Sequence, residues 1–165
     1  MTKTYNILNK QHLGYRSYYK DGFCISTEQA RLDLCAIHHF LSTQAYWSQN
    51  IPFSRVETAV AHSLCFGLYQ KEEQIGFARI VSDFSSMAYL ADVYVVPEFR
   101  GLGLSKWLMQ TIIDYPELQG LRRWILSTKD AHGLYKQFGW EPVAYPERWM
   151  EIHDPEVYNK RHDSH

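Results

Sequence analysis

The chain has 165 residues, of which 45% are hydrophobic and 21% are charged, and 17 Lys and Arg residues stand against 18 Asp and Glu residues. This length and composition are typical of one folded domain and exclude both an intrinsically disordered chain and a second full domain. The balanced charge also lacks the basic excess that nucleic-acid binding needs, so no nucleic-acid partner is predicted. We expect one domain over residues 1–158 and a frayed tail over residues 159–165.

The first half of the chain reads as a strand followed by two helices. Residues 22–26 predict a short strand, and Ser26-x-x-Gln29 resembles a capping box ahead of a helix from about Glu28 to Leu41. An aromatic loop that contains Tyr46 and Trp47 follows, and Ser54-x-x-Glu57 resembles a second capping box. The first 20 residues carry no assignable element.

The second half changes from helical to extended periodicity near Cys65. Three consecutive antiparallel strands, joined by short turns, are predicted over residues 66–69, 75–81 and 87–96. The elements predicted after them are a helix from Leu104 that stops before Pro116, a strand over 124–127, a short helix over 131–138 closed by Gly139, and an extended stretch over 140–152.

Cysteine and histidine spacing excludes several classes of protein. Cys24, Cys35 and Cys65 are odd in number and widely spaced, so they indicate neither a disulfide framework nor a zinc site. The histidines show no metal-ligand spacing, so no metal is predicted.

The N-terminus has no signal-peptide pattern, and no apolar run approaches the roughly 20 residues that cross a bilayer. We therefore predict a cytoplasmic protein without a membrane partner.

The run from Val93 to Lys106 is the most informative segment of the chain. It places Arg100, Gly101 and Gly103 between a predicted strand and the first turn of a predicted helix, where free backbone N–H groups and the helix dipole favour an anion. The alternative is that the glycines only form a turn. A dinucleotide fingerprint and a P-loop are both excluded because their spacings do not occur.

These residues resemble the phosphate loop of the GCN5-related N-acetyltransferase (GNAT) superfamily, which reads [QR]-x-x-G-x-[GA]. Arg100-x-x-Gly103-x-Ser105 matches it except that Ser105 replaces Gly or Ala. A second family pattern, A-x-x-L-Y-x-x-x-G-[FW], matches from Ala131 to Trp140 throughout. The resemblance covers the predicted elements from Phe23 to Ile152. It implies an α/β fold with a mixed, mostly antiparallel central sheet flanked by helices.

The resemblance also implies acetyl-CoA as co-substrate and a set of residues that would hold it. Main-chain groups of the strand before the loop would pair with the pantetheine arm, and amides of the loop would surround the pyrophosphate. Thr128 stands where many relatives carry an Asn that contacts the cofactor. The implied cofactor-binding residues are Val93, Tyr94, Val95, Arg100, Gly101, Leu102, Gly103, Leu104, Ser105, Lys106 and Thr128.

Tyr135 and Asp92 are the two candidate catalytic residues. Tyr135 lies on the apolar stripe of its helix and could be a core residue, but the family pattern implies a general acid for the leaving sulfur. Asp92 sits mid-strand, where Asp is disfavoured, so it could accept the proton of the acceptor amine or serve only the structure. Arg79 and Asp83 could pair with Asp92 or face the acceptor, and strand alternation does not choose between these.

Tyr46 and Trp47 could cap the core, but in the family this loop walls the acceptor pocket, and aromatic faces suit a cationic amine. We therefore predict an N-acetyltransferase that transfers the acetyl group of acetyl-CoA to a primary amine of a small molecule or peptide. The alternatives are an acyl-CoA-binding sensor or scaffold without turnover and, more remotely, an interaction protein with a purely structural glycine loop. The acceptor's identity stays open, and so does the choice between a monomer and a homodimer.

Overall fold

The computed structural model describes residues 14–160, which form six β-strands and four α-helices. The strands are β1 (Ser17–Lys20), β2 (Phe23–Ser26), β3 (Leu64–Gln70), β4 (Glu73–Ser82), β5 (Met87–Val95) and β6 (Arg123–Leu126). The helices are α1 (Leu34–Thr43), α2 (Phe53–Ala61), α3 (Leu104–Ile113) and α4 (His132–Lys136). None of the helices in this part of the chain has the length and apolar character that crossing a membrane requires.

The strands form one sheet in the order β1-β2-β3-β4-β5-β6. Neighbouring strands are antiparallel except for β5 and β6, which are parallel because α3 connects them across one face of the sheet. The predicted fold class, the predicted meander of β3, β4 and β5, and the predicted strand β6 are all confirmed.

Helices pack on both faces of the sheet, because strand side chains alternate between the faces and present apolar groups on each. On one face, α3 packs over a large core that includes Phe66, Leu68, Ile80, Leu90, Leu108, Met109 and Ile112. On the other face, α1 and α2 cover a smaller core that includes Ile37, Phe40, Leu41, Val56, Val60, Phe77 and Tyr94. Each such side chain contributes roughly 1.5–3 kcal/mol when it is fully buried.

Both predicted capping boxes are wrong. The helix α1 begins at Leu34 because the Asp33 carboxylate accepts a hydrogen bond from the Ala36 amide at 2.9 Å. Ser26 does not cap an α-helix. Its hydroxyl accepts a hydrogen bond from the Glu28 amide, and residues Gln29–Arg31 form only a short 3-10 helix. At α2 the cap position is Pro52, so the helix starts before Ser54.

The strand β1 lies within the first 20 residues, for which no element is predicted, although a local signal for it exists. Asp21 and Gly22 join β1 to β2, and both have positive φ, at 50° and 81°. A two-residue turn with positive φ at both positions favours a tight hairpin, and Asp-Gly is a preferred pair for it. The Asp-Gly dipeptide therefore predicts the hairpin that the structure has.

The predicted extended stretch over residues 140–152 does not form a strand. Pro142 and Pro146 lie within it and cannot donate to a β-ladder, and Pro146–Arg148 forms a 3-10 helix instead. β6 therefore remains the last strand of the sheet in the described chain. Residues 1–13 and 161–165 lie outside the described residues, so most of the predicted tail falls there and its fraying stays a prediction.

We expect the Gly76→Ala variant to be less stable than the wild type, because β4 approaches β5 closely at this residue. A Cβ atom on Gly76 would lie 2.8 Å from the carbonyl oxygen of Tyr94 and 3.0 Å from a methyl carbon of Leu68. Overpacking of this kind costs about 1–3 kcal/mol. Denaturant unfolding would measure the change. The matched control is Gly133→Ala in α4, where nothing lies within 4 Å, and equal stability of the two variants would contradict the expectation.

Candidate active site

A gap between β5 and β6 lies at the centre of the candidate site. The two strands pair from Met87 opposite Arg123 to Leu90 opposite Leu126, and their pairing ends there. β5 continues to Val95 and stays paired with β4 on its other side. Within the described chain, the β6-facing edge of β5 is therefore unpaired beyond Leu90. Such an edge offers main-chain donors and acceptors to an extended ligand.

A β-bulge lies in β5 beside this gap. Asp92 and Val93 on β5 stand opposite the single residue Ala78 on β4. Asp92 has a φ of 54°, in the left-handed region that Asp tolerates better than most side chains. A bulge bends its strand and redirects the side chain that it carries. The bulge thus explains why an aspartate occupies the middle of this strand.

The Asp92 carboxylate is held by two donors from different parts of the fold. Arg79 Nε on β4 donates to Asp92 Oδ2 at 2.5 Å, and Trp47 Nε1 donates to Asp92 Oδ1 at 3.0 Å. The Arg79 and Asp92 side chains are only 19% and 10% exposed. Arg79 also donates to the Ser63 hydroxyl at 3.2 Å. The structure therefore brings Arg79, Asp92 and Trp47 together in one polar cluster.

The loop between α1 and α2 bridges the gap between the two strands. While Trp47 bonds Asp92 on β5, the Tyr46 hydroxyl accepts from the Lys129 amide at 2.8 Å, just before α4. The Lys129 ammonium also lies 5.6 Å from the centre of the Tyr46 ring. Both aromatic side chains are almost half exposed. They form one wall of the mouth of the gap.

The glycine loop connects the end of β5 to the start of α3. Gly101 and Gly103 have φ values of 79° and 77°, and Gly103 precedes the helix without any side-chain cap. The first amides of α3 are thus available to an anion. Arg100 Nε donates to the Val95 carbonyl at 3.0 Å, which fixes the loop to β5. The Arg100 amide donates to Pro97, so one of the predicted loop amides is already engaged.

Tyr135 lies on α4 on the other side of the gap. Its side chain is buried in the larger core, and its ring packs edge-on to Trp140 at 6.1 Å. Burial, together with a smaller effect of the nearby Tyr46 and Asp130, raises the pKa of Tyr135 to about 12. The predicted closure of this helix by Gly139 is confirmed by its φ of 81°. The hydroxyl is therefore a protonated donor across the physiological pH range.

The model of the acetyltransferase (GNAT) family matches residues 13–140. The chain belongs to the GNAT family. It is 31% identical over 142 residues to a Gibberella zeae protein named provisionally as an acetyltransferase, a match that covers 73% of this chain and 79% of that protein.

Two solved structures show the same GNAT fold. A crystal structure of a protein assigned to the GNAT family, from Xanthomonas campestris pv. campestris, has a TM-score of 0.82 and 45% identity, and the match covers 84% of this chain and 97% of that one. A Clostridium acetobutylicum protein assigned to the acetyltransferases was solved with acetyl-CoA. It has a TM-score of 0.61 at 15% identity, covers 90% of this chain and 99% of its own, and is evidence for the fold alone.

In this GNAT chain, Thr128 and Asp83 have clear local roles. The Thr128 hydroxyl accepts from the Ala131 amide at 3.0 Å and so fixes the turn that leads into α4. Asp83 lies in the turn after β4, where it accepts from the Ser86 hydroxyl and from the amides of Ser86, Ser85 and Met87, and these hydrogen bonds hold its pKa well below its usual range. Asp83 follows Arg79 by four residues, about 13 Å along an extended chain, and does not join the Asp92 cluster.

Ser63 supports the guanidinium of Arg79, and its role cannot be predicted from the sequence. Ser63 is almost fully buried between α2 and β3, and its hydroxyl donates to the Ala59 carbonyl at 2.7 Å. No local pattern marks it, because its partner Arg79 is 16 residues away along the chain. Only the pairing of β3 with β4 brings these two residues together.

Proposed function

We propose that this chain transfers the acetyl group of acetyl-CoA to a primary amine of a small molecule or peptide. The observation that carries the proposal is the unpaired edge of β5, which leads directly into an uncapped helix N-terminus with two positive-φ glycines. Such a surface would recognise a ligand whose extended arm leads to an anionic end. The acetyl-CoA seen with the Clostridium acetobutylicum protein of the same fold supports this choice.

The residues proposed to hold acetyl-CoA fit an extended, anionic thioester. The side chains of Tyr94 and Val95 are buried, so main-chain groups of Val93 to Val95 are what β5 can offer to the pantetheine arm. Beyond Arg100, a Cβ atom on Gly101 or Gly103 would point into open space, so the backbone can approach a pyrophosphate closely. The thioester supplies an acyl group that is activated towards an amine.

We expect Gly103→Glu to weaken acetyl-CoA binding at least 100-fold, because it places a negative charge and a bulky side chain at the helix N-terminus (about 3 kcal/mol or more). Calorimetry would measure the dissociation constant. Gly120→Glu is the matched control, since Gly120 also has a positive φ and open space around it but lies in the loop before β6. Equal binding by both variants would remove the loop from the proposal.

A wild-type protein that is folded but binds no acetyl-CoA at millimolar concentration would refute the proposed function outright. Binding without release of free CoA thiol, across a panel of primary amines, would leave the sensor or scaffold alternative. Turnover with any of these amines, above a control without acceptor, supports the transferase.

The proposed acceptor site lies at Asp92, between Arg79 and the wall formed by Tyr46 and Trp47. A lysine-like ammonium with a pKa of about 10.4 pays about 4.6 kcal/mol at pH 7 to become the neutral nucleophile. A group near the amine must therefore take the proton. Each Asp92 oxygen accepts one hydrogen bond and keeps a second lone pair, so the carboxylate can attract the ammonium and take its proton through water.

We expect Asp92→Asn to lower kcat/KM at least tenfold with the best acceptor found, because it removes the charge and the proton acceptor. Asn tolerates the left-handed backbone and keeps an oxygen for Trp47, but it leaves Arg79 without its ionic partner, so thermal unfolding must show that the variant is folded at the assay temperature. Steady-state rates across pH would measure the effect. Asp114→Asn, at the end of α3, makes the same charge change outside the site. A full rate with an unchanged pH profile would exclude Asp92 as the base.

Tyr135 is the proposed general acid for the departing CoA sulfur. Collapse of the tetrahedral adduct breaks the C–S bond and leaves charge on sulfur, which a nearby hydroxyl can protonate. Tyr135 is suited to this role because burial holds its hydroxyl in the neutral form, on the helix that follows β6. The competing role is packing against Trp140, for which the ring alone matters.

We expect Tyr135→Phe to lower kcat by roughly 10- to 1,000-fold while acetyl-CoA affinity and Tm barely change, because only the hydroxyl is lost. With a pKa of about 12, Tyr135 should also cause no fall in the wild-type rate below about pH 11. Steady-state kinetics and thermal unfolding would measure both. Tyr145→Phe, at an exposed tyrosine, is the control. A fully active Tyr135→Phe enzyme would refute the acid role.

A further inference from the structure

One part of the sheet has no helix over it. On the face that α1 and α2 cover, their core ends with Cys65, Phe77 and Tyr94. Farther along the same face, the apolar side chains of Val81, Met87, Tyr89 and Ile125 belong to neither core of the described chain. We name these four residues the open floor.

The open floor is contiguous and accessible. Val81 stands opposite Tyr89 on β5, and Tyr89 stands opposite Ile125 on β6. Val81, Met87 and Tyr89 are 44%, 39% and 37% exposed. Large apolar side chains that gather on one exposed surface indicate a binding site more often than scattered ones do.

The open floor continues directly from the proposed acceptor site. Arg79 precedes Val81 by two residues on β4 and therefore faces the same side of the sheet. On β5, Tyr89 precedes Asp92 by three residues. Met87 is five residues from Asp92, so the floor extends about 16 Å from the carboxylate.

Aromatic side chains stand at both ends of the open floor. Trp47 bonds Asp92 at the inner end. At the outer end, Arg123 pairs in register with Met87, and its guanidinium lies 5.0 Å from the centre of the Trp149 ring. Trp149 comes from the C-terminal segment that the prolines keep out of the sheet. The open floor is thus an elongated apolar surface with the Asp92 carboxylate at its inner end.

We propose that the open floor binds the apolar body of the acceptor, so that the acceptor class is a primary amine that carries an extended alkyl or aromatic chain. This inference rests on the proposed function, because the amine end is set by Asp92. A second copy of the chain is the other occupant to consider. A standard protein interface uses about 20–30 residues on each side, far more than these four.

The test is a series of straight-chain primary amines from propylamine to octylamine. Their basicity is nearly constant, so kcat/KM reports on the chain and not on the fraction of neutral amine. Each methylene that leaves water for the floor should raise kcat/KM by roughly threefold to fourfold, until the floor is covered. A flat series would overturn the inference. If short amines are still acetylated, the proposed function survives that result, whereas no acetylation of any amine refutes both.

Two variants locate the effect on the open floor. Val81→Thr and Tyr89→Thr keep strand-forming side chains and should each reduce the gain per methylene, while thermal unfolding and acetyl-CoA binding report an intact fold. Ile152→Thr removes a fully exposed apolar side chain elsewhere and should leave the series unchanged. An unchanged gain in both floor variants would overturn the inference. So would a wild-type dimer that either floor variant dissociates, since the floor would then be the interface.

Discussion

The left-handed backbone at Asp92 is the constraint on which both sides of the site depend. The extra residue in β5 bends the strand away from the line of its neighbours, and the pairing with β6 has ended two residues earlier, at Leu90. A regular β5 could continue its ladder with β6 and would leave no gap for an extended ligand. The same bulge directs the Asp92 carboxylate to the face that α1 and α2 border. The bulge at Asp92 therefore accompanies the unpaired edge of β5 on one side and places a carboxylate on the face that α1 and α2 border.

Local signals in the sequence were sufficient for the elements that make the gap. The three-strand meander, the helix after Gly103 and the short helix closed by Gly139 were each predicted from periodicity and glycine position, and each is present. These signals act within about ten residues, and the segments that carry them are buried on one face. For the same reason the aromatic loop of Tyr46 and Trp47 was placed correctly between two helices.

Features that depend on long-range partners could not be predicted in this way. The ion pair of Arg79 and Asp92 removes two charges from most of their water, which costs several kcal/mol per ion unless hydrogen bonds compensate. The compensating groups are Trp47 and Ser63, which come from other elements. The missing final strand has a different cause, because Pro142 and Pro146 override a pattern that reads as extended.

The two proposed catalytic side chains are prepared for opposite tasks by opposite environments. Asp92 accepts hydrogen bonds from Arg79 and Trp47, and these two donors fix the orientation of its carboxylate. Tyr135 lies in an apolar core, which keeps its hydroxyl neutral and able to donate. The adjacent residues Trp47 and Tyr46 link these environments, since one bonds Asp92 and the other bonds the segment that leads to Tyr135. A shift of this loop would therefore disturb the acceptor side and the thioester side together, so the two halves of the proposed reaction share one support.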